Sequence, residues 1–228
     1  MAVIQNNKIN KVFDNLLSRQ EYLVTQSNDL ARSFGNLTAF QHKLFDFCFS
    51  FVQKDNTVDK IYKTDANTII HHFGLTLSGS NYQRVIKGFK ALNEKTAIYM
   101  SITLSDGSRG IMMTSLFDYI SVGKSGMIEF QFGRKIAPYV FELKERFYSF
   151  KLSELSRVRS KYTLTLLKLW NANGYGTWKP ETNQLPEAHI EGSLQEWKSW
   201  FLGNSEENEN WIAGQFKRNI LDRALNEL

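Results

Sequence analysis

Two segments of the chain place basic and amide side chains on one side of an amphipathic helical pattern. In residues 80–93, the side opposite the apolar residues carries Gln83, Arg84, Lys87 and Lys90. In residues 211–228, the polar arc carries Arg218, Asn219, Asp222, Arg223 and Asn226. Cationic side chains on an exposed helix face are either solvated or bound to a polyanion. Both alternatives stay open for each segment taken alone.

Metal and nucleophile chemistry has little support in this sequence. His71 and His72 are adjacent, so on a helix their directions differ by about 100 degrees, and no third ligand is near in sequence, which favours a structural role over a metal site. The four histidines, at positions 42, 71, 72 and 189, lack the His-apolar-His spacing of enzymes that nick DNA with a tyrosine. Cys48 lies on an apolar helix face and is predicted to belong to the core. We therefore expect a protein with no catalytic centre, metal or cofactor.

The elements that must position the first basic face form a helix-turn-helix pattern. Apolar residues recur at helical spacing in 37–52, and Thr38 can cap this helix. A short helix follows at 64–74, and a polar turn separates it from the helix at 80–93. The aromatic residues of 40–51 and 130–150 are at core spacing, so we expect them to be buried instead of stacked on bases.

The period then changes from helix to strand. Residues 98–104 alternate, 105–108 form a turn, 110–119 are apolar and rich in β-formers, and a turn at 123–126 leads into 127–132. A helix-turn-helix followed by hairpins predicts a winged helix, placed at residues 1–150. Residues 134–143 are expected to form a short closing helix.

The second half repeats the helical order. Helices are predicted at 160–170, 194–201 and 211–228, and the last one has a polar face rich in basic residues. We expect a second helix-turn-helix at 151–228, with no wing because the sequence stops at Leu228. The fold class is therefore α+β and mainly helical, with two winged-helix domains in tandem and the second one incomplete.

Charge and composition limit the classes of function. With 42% apolar and 22% charged residues, the 228-residue chain resembles an ordinary globular protein, and its length allows one large domain or two small ones. One cysteine, no membrane-length apolar run and no signal peptide predict a cytoplasmic protein. Residues 134–161 contain eight basic and three acidic residues, so this stretch alone carries a net charge of +5, equal to that of the whole chain. Residues 181–209 hold seven glutamates and one lysine, which indicates a flexible acidic segment near 175–210.

Five ordered blocks give the chain a family resemblance. The blocks are 36–44 (NLTAFQHKL), 130–140 (FQFGRKIAPYV), 150–155 (FKLSEL), 159–162 with 166–169 (RSKY, LLKL) and 216–227 (FKRNILDRALNE). From about residue 24 to the end, the chain resembles the plasmid replication initiators that bind iterons and start theta replication. That resemblance implies tandem winged-helix domains. It also implies a monomer that binds directly repeated origin sites through both domains, and a dimer that represses the initiator's own promoter.

The resemblance also assigns roles to residues. The recognition helix of the second domain matches Arg218, Asn219, Asp222 and Arg223; arginine suits guanine O6 and N7, and asparagine suits adenine. Phosphate contacts are expected from Lys217, Arg157, Arg159 and Lys161. In the first domain, the matching helix carries Arg84, Lys87 and Lys90. The family's dimer surface matches the hairpin residues Ile111, Met113, Ser115 and Phe117.

The expected partners are duplex DNA, a second copy of the chain and host replication proteins such as a helicase or initiator, with no membrane. The other function that this fold allows is a winged-helix transcriptional regulator with no role in replication. Such a regulator would bind an ordinary promoter specifically and have no effect on plasmid maintenance.

Overall fold

The computed structural model describes residues 23–143, 147–175, 187–203 and 210–228. Several predictions made from the sequence lie outside these ranges. They concern residues 1–22 of the first domain, Lys144 and Arg146 of the basic stretch, and residues 176–186 and 204–209 of the acidic segment.

The first half alternates short helices and strands. In chain order these are β1 (Leu23–Ser27), α1 (Asn28–Ala31), α2 (Ala39–Phe49), β2 (Tyr62–Asp65), α3 (Ala66–His72), α4 (Gly79–Lys95), β3 (Ala97–Thr103), β4 (Arg109–Ser115), β5 (Phe117–Val122), β6 (Met127–Phe132), a 3-10 turn (Arg134–Ile136) and α5 (Ala137–Val140).

The second half is mainly helical. It contains β7 (Phe147–Lys151), α6 (Leu152–Ser156), α7 (Lys161–Asn173), the two-residue strands β8 (Gly174–Tyr175) and β9 (Glu187–Ala188), and α8 (Leu194–Leu202). The chain then forms α9 (Ala213–Phe216), a π-helical turn (Lys217–Leu221) and α10 (Asp222–Glu227). These three follow one another without a break and are called the C-terminal helix below.

The first half contains the predicted winged helix. Helices α2, α3 and α4 combine with an antiparallel sheet of order β2-β6-β5, in which the β5–β6 hairpin is the wing. The hairpin β3–β4 is inserted between α4 and β5. The apolar segment at 110–119 contributes to two strands, β4 and β5. The break lies at Leu116, a buried residue at which the chain leaves the β3–β4 ladder.

Local signals in the sequence explain where the helices of this domain begin. Thr38 and Gln41 form a capping box at the start of α2, and Ser78 caps α4. Gly88 lets these two helices approach closely, since a Cβ atom there would lie 2.8 Å from Cδ2 of Leu44. The Gly88 side of α4 is therefore held against the first turns of α2, and the basic side stays exposed.

The core is rich in phenylalanine, as the spacing predicts. The rings of Phe45, Phe49, Phe130 and Phe132 are buried, and Phe49 lies 4.9 Å from Phe132 between ring centres. Cys48 is also buried. His72 packs its ring 4.8 Å from that of Phe47, which is a structural role.

The two halves share one continuous hydrophobic core. Strand β1 pairs with β7, with Val24 opposite Phe150, so the β1–β7 ladder crosses the predicted boundary at residue 150. Leu164 and Leu169 of α7, Phe201 of α8 and Ile220 of the C-terminal helix belong to the same buried cluster as α2. The division of the chain at residue 150 stays a prediction. None of the helices in the described ranges is long and apolar enough to span a membrane.

Candidate nucleic-acid interface

The outer side of α4 presents a basic surface. Arg84, Lys87 and Lys90 are all exposed. The guanidinium carbon of Arg84 lies 4.3 Å from the ring centre of Phe40, so Arg84 is held over an aromatic ring at the edge of this surface. Lys90 forms a long ion pair of 3.6 Å with Glu94 one turn further along. Pairs of this kind are weak at an exposed site, so Lys90 can exchange this partner for a phosphate.

An open groove of about 520 Å³ separates the start of α2 from the basic side of α4. Thr38 and Gln41 line one wall, and Gln83 and Lys87 line the other. The sequence placed Gln83 on the polar side of the helix but did not assign it to the site. Its position one turn before Lys87 is the signal that could have included it.

The C-terminal helix buries one side and exposes the other. Phe216, Ile220 and Ala224 are buried, whereas Arg218 and Arg223 are exposed. The buried side is narrower than the predicted apolar arc, because Leu225 and Leu228 are more than half exposed. Two further predicted base-contacting residues, Asn219 and Asp222, are partly buried. Asp222 accepts a hydrogen bond of 2.8 Å from Nζ of Lys217, so Lys217 is already paired on the helix surface.

Helix α7 fixes the end of the C-terminal helix. The carboxylate of Glu227 accepts hydrogen bonds from the backbone N–H groups of Arg159, at 2.7 Å, and Ser160, at 3.0 Å. Partial burial acts to raise the pKa of Glu227, but these bonds, a bond from Thr163 and the charge of Arg159 hold this pKa below its ordinary value. The same Thr163 hydroxyl lies 3.4 Å from the carbonyl oxygen of Ala224, so its one hydrogen is shared between two acceptors.

The basic residues before α7 are in different environments. Arg157 and Arg159 are exposed, and Arg159 lies beside the end of the C-terminal helix. Lys161 is partly buried, and its Nζ donates to the carbonyl oxygen of Gly35 at 2.9 Å. Burial, with a contribution from the charge of Lys95, lowers the pKa of Lys161. Lys161 thus has a partner within the protein, and its contact with phosphate stays a prediction.

Lys43 is a basic residue that sequence reasoning missed. It is half-buried on α2, and burial lowers its pKa, while the charge of Glu227 raises this pKa and that of Arg84 lowers it. Lys43 is therefore within electrostatic reach of both α4 and the C-terminal helix. In the sequence Lys43 stands between two residues that are buried in α2, and this pattern does not indicate that it lies near both Arg84 and Glu227.

The β3–β4 hairpin exposes a patch of apolar side chains. Tyr99 lies opposite Met113 in the ladder, so the two share one face with Ile111. Their exposed fractions are 66%, 73% and 65%, and Ser115 is exposed as well. Phe117 differs from the other residues predicted for the dimer surface. It begins β5, is 3% exposed and stacks on Phe132 at 5.3 Å, so the structure places it in the core.

Metal-binding clusters are not found in the part of the chain that the structure describes, where no three His, Cys, Asp or Glu side chains come together. His71 is exposed and His72 is buried, so the adjacent pair points in two directions.

Comparison with known proteins identifies the family. Residues 23–171 match the family model described as "Initiator Replication protein, WH1". The chain belongs to this family. The match confirms the predicted replication initiator and ends within α7, at residue 171.

One solved structure shares this fold. The chain is similar to the Pi initiator protein, whose crystal structure was determined in complex with iteron DNA, with a TM-score of 0.66 and 18% sequence identity. The alignment covers 91% of this chain and 86% of the Pi chain. A further match is the WH1 domain of MSBI1.176, a replication protein isolated from a multiple sclerosis patient. Its TM-score is 0.35 and its identity is 13%, over 52% of this chain and 80% of that one. A search of curated proteins gives no match.

Proposed function

We propose that this replication initiator binds directly repeated duplex sequences at a plasmid origin as a monomer, through α4 and the C-terminal helix together. The observation that carries the proposal is the exposure of Arg218 and Arg223 on a helix whose opposite side is buried against α7 and α8. The basic face of α4 gives the same molecule a second surface of this kind. The likeness in fold to the Pi protein, solved with iteron DNA, supports the same partner class.

The proposed contacts divide into two kinds. Arg218 and Arg223 are suited to guanine O6 and N7, and Asn219 to adenine, in the major groove. Arg157, Arg159, Lys87 and Lys90 are suited to phosphates, which position the protein and make its affinity depend on salt. The function requires only binding, so it needs no catalytic centre or cofactor.

The proposal includes a second state and further partners. A dimer formed through the exposed face of β3–β4 would repress the initiator's own promoter. DNA-bound monomers would recruit host proteins such as a helicase or initiator in the cytoplasm, where plasmids replicate. The competing function is a transcriptional regulator of the same fold.

Gel-shift titration tests the DNA-binding part. The protein is titrated against a duplex of origin repeats and a random duplex at two salt concentrations. We expect tighter binding to the repeats by a factor of about 10³ or more. Equal affinity for both duplexes would refute specific initiation.

Two substitutions distinguish the proposed kinds of contact. Replacing Arg218 with alanine should cost about 1–3 kcal/mol on the repeats and relax base preference at one position, with little effect on random duplex. Arg157→Ala is the matched control, because it should weaken binding to all sequences alike and lower the salt slope by about one.

A plasmid that depends on the chain for replication separates the two functions. If the protein is an initiator, Arg218→Ala should lower plasmid copy number in step with its loss of affinity. A regulator would show specific binding at a promoter while plasmid maintenance stayed unchanged by the substitution.

A further inference from the structure

A loop of the first half, residues 32–37, is held between the start of α7 and the end of α8. On one side, Nζ of Lys161 donates to the carbonyl oxygen of Gly35 at 2.9 Å. On the other side, a Cβ atom on Gly35 would lie 2.5 Å from the carbonyl oxygen of Trp200 and 2.8 Å from that of Ser199. The loop backbone therefore packs directly on the last turn of α8. We call Gly35, Lys161 and residues 199–203 the clasp.

The conformation of the loop is specific to this contact. Phe34 has a φ of 67°, in the left-handed region that residues other than glycine rarely adopt. Its ring is buried, and the ring centres of Phe34 and Phe45 are 5.4 Å apart. Gly203 ends α8 with a φ of 80°, and a Cβ atom there would lie 2.8 Å from Cβ of Asn36. The guanidinium of Arg32 lies 5.1 Å from the ring centre of Trp200. Contacts on both sides thus determine the path of the loop.

The clasp is part of a continuous series of contacts between the two basic helices. Glu227 and Thr163 join the C-terminal helix to α7, and Lys161 joins α7 to the loop. The loop runs into α2, and Gly88 allows α2 to pack closely on α4. The buried Lys168–Asp46 pair joins α7 to α2 directly at 2.6 Å, and the Lys161 contact is a second tie, through the loop before α2. Its loss would loosen this side of the connection between the C-terminal helix and α4.

We propose that Lys161 is a positioning residue: by holding the 32–37 loop against α7 and α8, it sets the distance and rotation between the two DNA-contacting helices. Its ammonium group is used inside the protein instead of on a phosphate. This inference rests on the proposed function, because it assumes that both helices contact one duplex. Its consequence is that the clasp sets the spacing of the two DNA segments that one molecule can bind.

The first test measures tolerance to spacing. The full chain is bound to its repeat, the two contacted segments are located by hydroxyl-radical footprinting, and 2 base pairs are inserted between them. The insertion rotates one segment by about 70 degrees relative to the other, since B-DNA turns once in about 10–10.5 base pairs. A rigid protein loses simultaneous contact, so we expect the wild-type affinity to fall by about 100-fold.

Two variants weaken the clasp in different ways. Lys161→Met removes the donor and the charge, whereas Gly35→Ala keeps every charge and pushes the loop away from the carbonyl oxygens of α8. In both we expect weaker binding to the intact repeat and a loss of less than about tenfold on insertion. Lys161→Arg, which keeps a donor in place, should restore most of the wild-type sensitivity to spacing.

The second test measures the salt slope. If Lys161 contacted a phosphate, Lys161→Met would lower the slope by about one while sensitivity to spacing stayed as in the wild type. A positioning role leaves the slope unchanged. The matched control is Arg157→Met, an exposed residue four positions away, for which we expect the lower slope and unchanged sensitivity to spacing.

The outcomes separate this inference from the proposed function. Wild-type protein that binds the repeat no better than random duplex contradicts the proposed function itself. Specific wild-type binding, with clasp variants that keep full sensitivity to spacing, overturns the positioning role even where their thermal stability falls. Urea unfolding of each variant verifies that it is folded before its sensitivity to spacing is compared with that of the wild type; Lys161→Arg is the mildest of these changes.

Discussion

At the scale of single residues, His42 has an unusual environment. It is buried on α2, and its Nε2 has no hydrogen-bond partner among the described residues. Burial, followed by the charges of Lys168 and Lys161, lowers the pKa of His42 well below 6.5. The ring is therefore neutral in the folded protein at neutral pH, and protonation would place a second cation beside Lys168.

This environment predicts a loss of stability in mild acid. Below pH 6.5 the unfolded chain binds a proton at His42 that the folded protein does not, so the free energy of unfolding falls as the pH falls towards the lowered pKa. The slope from this group is at most about 1.4 kcal/mol per pH unit. Urea unfolding between pH 7.5 and 5.5 measures it. His42→Gln should flatten the curve and the exposed control His71→Gln should not; a curve that is unchanged in His42→Gln would contradict the assignment.

At the scale of elements, a buried hydrogen-bond network joins two strands and two helices. Tyr148 of β7 donates to Gln26 of β1 at 2.6 Å, and Gln26 donates to Asp46 of α2 at 3.0 Å. Lys168 of α7 donates to the same Asp46 oxygen at 2.6 Å. Burial raises the pKa of Asp46 more than Lys168 and Gln26 lower it, so the carboxylate needs its cation to remain charged.

Breaking this pair should therefore be costly. Lys168→Met leaves a buried carboxylate without its cation, and we expect a loss of about 3–5 kcal/mol in the free energy of unfolding. The double variant Asp46→Leu, Lys168→Met should lose much less than the sum of the two single changes. Lys63→Met is the control, because the Lys63–Glu129 pair is exposed and its loss should change the free energy of unfolding little. Additive losses in the buried pair would show that the two residues act independently.

Local elements could be predicted from the sequence far better than the contacts between them. Caps and periodicity were sufficient for α2, α4 and the wing hairpin, because those signals lie within a few residues. The pairing of β1 with β7 joins residues 120 to 128 positions apart, and no local pattern indicates it. In the sequence Lys161 is indistinguishable from its exposed basic neighbours Arg157 and Arg159, since its hydrogen-bond partner, Gly35, is 126 positions away.

At the scale of the whole molecule, the exposed β3–β4 hairpin is the surface proposed for the dimer. The apolar face of Tyr99, Ile111 and Met113 lies on a two-stranded sheet that pairs with no further strand among the described residues. Unpaired strand edges and apolar faces of this kind favour association with another copy of the chain. The basic surfaces lie on α4 and the C-terminal helix, so association through the β3–β4 hairpin need not cover them.

A charged substitution on this face tests the dimer. Met113→Glu should raise the dimer dissociation constant by about 100-fold or more, because a buried carboxylate would face an apolar surface. Sedimentation velocity measures this, and Met127→Glu, at an exposed position in β6, is the control that should leave association unchanged. The monomeric variant should keep its affinity for the repeats and lose repression of its own promoter. A Met113→Glu protein that still dimerises would place the dimer interface on another surface. A folded Met113→Glu monomer that no longer binds the repeats would show that the hairpin also contacts DNA.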